Sequence, residues 1–203
     1  MSSFLNDLNI AQLSEEEKNS CEGLISPEEC PELVDSFQSN KSPGNDDIPA
    51  EFYRNVWPLI SESFIRCANE CFEKGEMSYS QKQAVITLLE KSGKERTLLE
   101  NWRPISLVNV DTKIMSKVIA ARVKKVLVLP SIIHYNQTGY VQDRFIGEAI
   151  RSIFDIMDFT AKENIPGLLL FIDFQKAFDS VEWEFLIEGV LKSLTLVEIS
   201  FTG

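Results

Sequence analysis

The sequence is poor in the residues that build metal clusters and disulfide scaffolds. It has one histidine, His134, and four cysteines, Cys21, Cys30, Cys67 and Cys71. Four irregularly spaced cysteines in 203 residues are too few to staple a fold, so a reduced, intracellular setting is the default expectation. Cys67 and Cys71, four apart on one face of an expected helix, read as small buried thiols, since a lone histidine leaves a zinc site short of ligands. Glycine (9) and proline (8) are sparse, and neither a repeat nor a low-complexity tract is present. No apolar run approaches the roughly 20 residues of a membrane span. The start, "MSSFLNDLNIAQLSEEEK", has neither a basic head nor an apolar stretch, so no secretory signal is expected. What remains is an ordinary foldable composition, 44% hydrophobic and 25% charged. The length suits one large domain or two small ones with a sizeable core.

Basic residues are scarce overall, 20 against 31 acidic, for a net charge of -11. They are also unevenly placed. Residues 1–80 carry 5 basic and 16 acidic side chains, residues 81–125 carry 10 and 4, and residues 126–203 carry 5 and 11. The whole-chain charge argues against nonspecific coating of DNA. The basic central segment allows a local surface for phosphates, or a solvated helix face.

Residues 1–25 are polar and acidic and read as a weakly ordered lead-in. In "ISPEECPELVDSFQ" Ser26 is placed to cap a helix with Pro27 at its first position, and Leu33, Val34 and Phe37 form its apolar stripe. After the turn residues "NKSPGNDDIP", "PAEFYRNVW" predicts a short helix from Pro49. A second one follows in "PLISESFIRCANECFEKGE", with Ile60, Phe64, Cys67 or Ala68, and Cys71 inward, closed by Gly75. "QAVITLLEK" and "WRPISLVNV" predict two strands joined by a basic loop, and Pro104 puts the second at an edge. "VDTKIMSKVIAARVKKVLVL" predicts an amphipathic helix capped by Asp111, with Ile114, Val118, Ala121 and Val126 inward, ending at Pro130. "FIGEAIRSIFDIMDFTAKEN" predicts another, with Ile146, Ile150, Ile153, Phe154 and Met157 inward. "IPGLLLFID" reads as a strand buried on both faces, and "DSVEWEFLIEGVLKSL" as a helix starting near Asp179 or Ser180. The fold class is α+β.

The strand "GLLLFID" ends in a carboxylate, Asp173. Strand ends in open sheets face the usual ligand crevice, and a buried carboxylate there needs pairing, hydrogen bonds or a metal. Aspartate is a hard oxygen donor suited to Mg²⁺ carrying substrate phosphates. Equally, Asp173 can cap a turn and Asp179 the next helix; the spacing alone leaves both open.

Five stretches occur in a telling order: "KSPGNDDIPAEFY", "ITLLEKSGK", "NWRPISLVNVDTKIMSKVIAARV", "NQTGYVQDRFIGEAIR" and "FIDFQKAFDSVEW". Together they resemble the reverse transcriptases of non-LTR (LINE-type) retrotransposons, from about Leu13 to Ser193. The resemblance implies a partial right-hand polymerase: fingers helices and a β-hairpin over 26–166, then the first palm strand and the following helix over 167–203. It implies RNA-directed DNA polymerisation by two-metal phosphoryl transfer, with an RNA template, a DNA primer and dNTPs as partners and Mg²⁺ as cofactor. Asp173 occupies the metal-binding aspartate of "DFxKAFD", and the carbonyl of Phe174 the second-metal ligand. Phe178 occupies the aromatic that excludes the ribose 2′-OH. Lys91 or Lys94, and Arg103 of "RPISL", fit the residues facing the triphosphate. Arg144 of "QTGYVQDR" is a candidate phosphate contact near template and primer.

The departures from the family are as informative. "SPGNDD" has Asn45 and Asp47 where Pro and Gly are usual, and "VQDR" has Asp143 where Gly is usual. These loops are expected to be strained or altered, and an Asp beside Arg144 to weaken a phosphate contact. The family's "RQGCPLSP"-like motif and its "ADD" hairpin, which supplies further metal-binding carboxylates, are not in the sequence. Nor are a thumb and the upstream endonuclease of many such elements, and "LTLVEISFTG" departs from the pattern as a truncation or frame change would. Asp173 alone is expected to hold Mg²⁺ weakly, and the chain to be inactive by itself. A palm cut short would leave open strand edges and apolar surface. The competing expectations are a non-catalytic RNA-binding remnant acting through residues 82–125, and an unrelated interaction domain.

Overall fold

A computed structural model describes residues 13–127, 132–141, 143–174 and 176–187. In chain order the elements are α1 (Glu15–Cys21), α2 (Pro31–Asp35), α3 (Ala50–Lys74), β1 (Ala84–Glu90), a 3₁₀ turn (Leu99–Asn101), β2 (Trp102–Val108), α4 (Val110–Leu127) and α5 (Ile146–Lys162). The class is α+β, with a two-stranded antiparallel sheet. The residues group into two compact units: Glu22–Arg122, and the described residues on either side of it.

The core of the Glu22–Arg122 unit lies between α2, α3 and α4. Val34 of α2, Trp57 and Ala68 of α3, and Ile114 and Val118 of α4 are all buried in one cluster. Each large aliphatic group so buried contributes roughly 1.5–3 kcal/mol before entropy is counted. The first helix begins later than the sequence pattern predicts. Ser26 and Glu29 close a turn, with the Ser26 N–H donating to Glu29 Oε2 at 2.9 Å. Pro31 then starts α2 at its first position. The reason is Pro31 itself: it has no N–H for the Pro27 carbonyl, and its ring would collide there, so a helix begun at Pro27 is broken four residues on.

The two helices expected around Pro58 are one. Helix α3 runs 25 residues with Pro58 inside it. The lost Arg54 carbonyl bond is outweighed by burial of Tyr53 and Trp57 before the proline and of Ile65 and Ala68 after it. Gly75 ends the helix as expected, left-handed at φ 65°, with the Glu76 N–H reaching back to the Cys71 carbonyl at 3.1 Å. Cys67 corrects an expectation: it is exposed and Cys71 half-buried, while Cys30 is the fully buried thiol. The α3 face that meets the core is set by Tyr53, Trp57, Ile65 and Ala68, which turns Cys67 outward.

Loops are tied to helices by side chains that act as backbone partners. Asn69 exchanges two hydrogen bonds with the backbone of Ile25, at 2.7 and 3.0 Å. Arg122 of α4 grips Glu29 through Nε and Nη2 at 2.6 and 2.7 Å and also donates to the carbonyls of Glu22, Gly23 and Leu24. Buried Gln81 accepts from the Ser78 N–H, and its own carbonyl accepts from Thr112 Oγ1. Asn109, not Asp111, occupies the cap position of α4, because its carbonyl accepts the first helical N–H, from Lys113. The Asn109 side chain is turned to the loops: Nδ2 donates to the carbonyl and hydroxyl of Ser80 at 3.2 and 3.0 Å, and Oδ1 accepts from the Asp46 N–H at 3.4 Å. Gly44 passes so close that a Cβ there would lie 2.6 Å from the Val108 carbonyl carbon and against Asn109.

The flanking unit is less buried. Helix α1 lies where a weakly ordered lead-in was expected, and residues 1–12 lie outside the described residues. Its start carries a reciprocal box: the Ser14 N–H donates to Glu17 Oε2 at 2.7 Å and the Glu17 N–H to Ser14 Oγ at 3.3 Å. Helix α5 forms where its periodicity predicts, but its apolar stripe is not buried: Ile146, Ile150, Phe154 and Met157 are exposed and Ile153 half-buried. Residues 165–173, expected as a buried strand, have no ladder partner among the described residues, and Leu168, Leu170, Phe171 and Ile172 are exposed. A strand is defined by its partners, and a run of apolar residues supplies none by itself. The helix expected from Asp179 or Ser180 begins at Trp183 and is followed to Ile187. Pro130 and the rest of that expected helix, residues 188–194, lie outside the described residues.

Both aspartates at expected glycine positions are left-handed, Asp47 at φ 56° and Asp143 at φ 60°. An L-residue in that region carries roughly 1–2 kcal/mol of strain, eased for Asp by local hydrogen bonding. Three outcomes are expected. Asp47→Gly and Asp143→Gly should each raise stability by up to about 1 kcal/mol, read as an upward shift in urea midpoint. Gly44→Ala should lower it by about 1–3 kcal/mol through overpacking. Alkali should unfold the protein: burial pushes the Cys30 thiol up to about 11 from 9.0, and burial, with Asp111 and Asp46 nearby, pushes Tyr53 up to about 12 from 10.0. Both neutral forms are favoured on folding, so this stability is intact below pH 9 and falls as pH rises through 9–12. Circular dichroism against pH reads the loss, and Tyr53→Phe should blunt it.

Candidate functional site

The hairpin sets the first group of predicted residues. Its register pairs Leu89 with Arg103, Thr87 with Ile105 and Val85 with Leu107. Residues opposite each other share a face, so Arg103 stands on the face of Leu89, and Lys91, two residues further on, belongs to the same side. The Lys91 N–H donates to the Asn101 carbonyl at 2.8 Å and fixes the parity of the ladder. That parity leaves Pro104, opposite Leu88, with its nitrogen on the outer edge, where no donor is required.

The loop between the strands is organised by its own side chains. Gly93 is left-handed at φ 71° and lets the Lys94 N–H return to the Lys91 carbonyl at 3.1 Å. Trp102 Nε1 donates to the Arg96 carbonyl at 2.9 Å, and Asn101 Nδ2 to the Glu95 carbonyl at 2.9 Å. Arg96 pairs with Glu90. Lys91 Nζ donates to the Glu100 carbonyl at 2.7 Å. Arg103 and the Lys94 ammonium have no side-chain partner among the described residues and are exposed, which leaves both free to meet an anion. The basic segment is thus partly structural: Lys82, Lys91, Arg96, Lys117 and Arg122 are engaged by protein groups.

Arg144 proves to be an organiser of its own loop. Nη1 donates to the carbonyls of His134 and Gln137 at 2.6 and 2.8 Å, and Nη2 to that of Ile133 at 3.1 Å. Its charge is met by three backbone carbonyls, none of these contacts is to the adjacent Asp143 carboxylate, and three of its five N–H donors are engaged in this way. This constraint was not readable from the motif, because the partners are carbonyls, which any sequence offers.

Asp173 and Phe174 are exposed on the segment 165–174. Phe178 is 84% exposed, and its ring meets Tyr140 edge to face, with centroids 6.2 Å apart and planes at 88°. Tyr140, which sequence reasoning did not single out, is the ring beside Phe178; the available signal was an aromatic directly after the glycine of "QTGY". The donors for Mg²⁺ are of the right chemistry, a carboxylate and a carbonyl. They do not amount to a site: no group of three acidic, histidine or cysteine side chains gathers among the described residues. Mg²⁺ needs six oxygens in near-octahedral order, so two protein donors hold it only with help from substrate phosphates, water or other carboxylates. No helix among the described residues is long and apolar enough to cross a membrane.

Comparison with known proteins places the sequence in a family. The family described as Reverse transcriptase (RNA-dependent DNA polymerase) matches residues 89–200. The 149 kDa protein of transposon TX1 from Xenopus laevis is 37% identical over 181 residues, covering 89% of this chain and 14% of that protein. The 115 kDa protein of the type-1 retrotransposable element R1DM of Drosophila melanogaster is 30% identical over 151 residues, 74% of this chain and 14% of its own length. The RNA-directed DNA polymerase of the mobile element jockey, also from Drosophila melanogaster, is 26% identical over 159 residues, 77% and 17% respectively. The chain therefore spans about a seventh to a sixth of these relatives. With a family match across more than half its length, this chain belongs to the reverse transcriptase family, in the branch carried by non-LTR (LINE-type) retrotransposons.

Proposed function

We propose that the chain forms the fingers, over 26–166, and the opening of the palm, over 167–203, of an RNA-directed DNA polymerase that works with an RNA template, a DNA primer and dNTPs. The observation that carries this reading is the hairpin register, which sets Arg103 and Lys91 on one face. A planar guanidinium forks two phosphate oxygens and an ammonium adds a point charge, the pair that a triphosphate calls for. Lys94, at the left-handed turn, is the alternative cation. In the reaction of this class a primer 3′ oxygen attacks the α-phosphorus and pyrophosphate leaves, and catalysis is mostly positioning and charge neutralisation. Mg²⁺, when bound, supplies the charge that clamps the attacking and leaving oxygens. This chain's part is to hold the triphosphate through Arg103 and Lys91, offer the Asp173 carboxylate and Phe174 carbonyl, and crowd the sugar with Phe178. Arg144 acts indirectly by fixing the loop 133–137.

The test is a titration of the chain with dATP and Mg²⁺, read by tryptophan fluorescence at Trp102. Arg103→Ala should weaken binding about 10-fold or more, as for a lost charged hydrogen bond, and Lys91→Ala less, because its ammonium is shared with Glu100. Binding indifferent to both changes would overturn the assignment. Salt-dependent RNA binding that falls on the same substitutions, with no dATP binding, would favour the RNA-binding remnant instead. The chain alone is expected not to extend a primed RNA, given two protein donors for the metal. Extension abolished by Asp173→Ala would show a working enzyme.

A further inference from the structure

Tyr140 is an odd residue to find where it is. Its ring is 98% exposed and its backbone is left-handed at φ 60°. Bulky side chains seldom adopt that conformation, and they hold it only when the surroundings fix it. A glycine stands next to it, Gly139, with open space where a Cβ would go and no positive φ. The loop has thus placed its strain on the aromatic and left the permissive residue relaxed. What fixes the loop is on both sides of Tyr140: Arg144 ties down the carbonyls of Ile133, His134 and Gln137, and Gln137 Nε2 donates to the Gly139 carbonyl at 3.2 Å. Among the described residues, the ring that Tyr140 meets is Phe178, edge to face at 6.2 Å.

We propose that Tyr140 is a positioning residue for sugar selection: the Arg144-braced loop holds its ring against Phe178 and sets where Phe178 stands toward the 2′ position of a bound nucleotide. This rests on the reading of Phe178 as the group that crowds the sugar. An exposed phenylalanine on a turn is a poor steric barrier, because its side chain turns freely; a second ring at right angles favours one orientation. The left-handed backbone aims Tyr140 there, which explains why the strain persists beside a glycine.

The test uses the full chain with 4-fluorophenylalanine at position 178, titrated with dATP and with ATP in Mg²⁺ and followed by ¹⁹F NMR. The unsubstituted partner should prefer dATP, and Tyr140→Leu should shift the fluorine resonance and reduce the preference about 5-fold or more while dATP still binds. Tyr140→Phe should keep both, since the ring is what matters. Tyr140→Gly removes the ring and relieves the backbone together, so it should fold at least as well and still lose the preference. An unmoved resonance in Tyr140→Leu, or a preference kept by Tyr140→Gly, overturns the proposal. The Phe178→Val chain separates the two ideas. If it loses the preference while Tyr140→Leu and Tyr140→Gly keep it, the gate stands and the buttress falls. If it keeps the preference, or if dATP and ATP bind alike from the start, the gate reading fails and the buttress with it.

Discussion

The Glu22–Arg122 unit depends on one side chain, the Asn109 amide. It is 1% exposed and sits where β2 turns into α4. The Asn109 backbone carbonyl starts the helix, the side-chain NH₂ holds Ser80 ahead of β1, and the side-chain Oδ1 receives the Asp46 N–H of the loop before α3. A single residue therefore joins both ends of the hairpin region to the helices. A buried amide is well suited to this because it offers donors and an acceptor in a rigid plane, and each bond left unmade would be costly. Gly44 completes the junction by having no Cβ to keep the loop away. The angle at which the hairpin leaves the core, and hence where Arg103 points, is decided some distance from Arg103 itself.

What could be read in advance followed the local signals. The hairpin, α4, α5 and the Gly75 stop came from periodicity, capping and turn chemistry, which act within a few residues. The αL positions at Asp47 and Asp143 came from noticing what they replace. What could not be read depended on distant partners. Pro58 looked like a break because its own neighbours say so, and only Trp57 and Ile65 packing on α2 and α4 overrides it. The capping box at Ser14–Glu17 was visible in "SEEE" and hidden by the acidity around it. The "GLLLFID" run carries strand character without naming a partner, so its burial was a guess about residues elsewhere. Arg144 was legible as a conspicuous cation, but whether it meets phosphate or carbonyl is a matter of three-dimensional distance.

The cations divide into two kinds by what already holds them. Arg122 and Lys117 are structural, one gripping Glu29 and three carbonyls, the other lodged on the Phe37 ring and Ser36. Arg103 and Lys94 have nothing of the sort among the described residues. A segment with ten basic residues thus presents a smaller field than its count implies, since five of the ten are engaged by protein groups. That restraint fits an acidic chain poorly suited to coating a duplex.

The left-handed turns at Asp47 and Asp143 also have a genetic meaning. A glycine codon becomes an aspartate codon by one second-base change. Aspartate is among the few L-residues that a left-handed turn tolerates, so such a change passes through the fold with modest harm. Gly44 differs in kind: there the objection is to any side chain at all, and no mutation from glycine escapes it. A change from glycine to aspartate at either turn is one the fold can absorb, whereas any side chain at the glycine pressed against Asn109 is one it must move to admit.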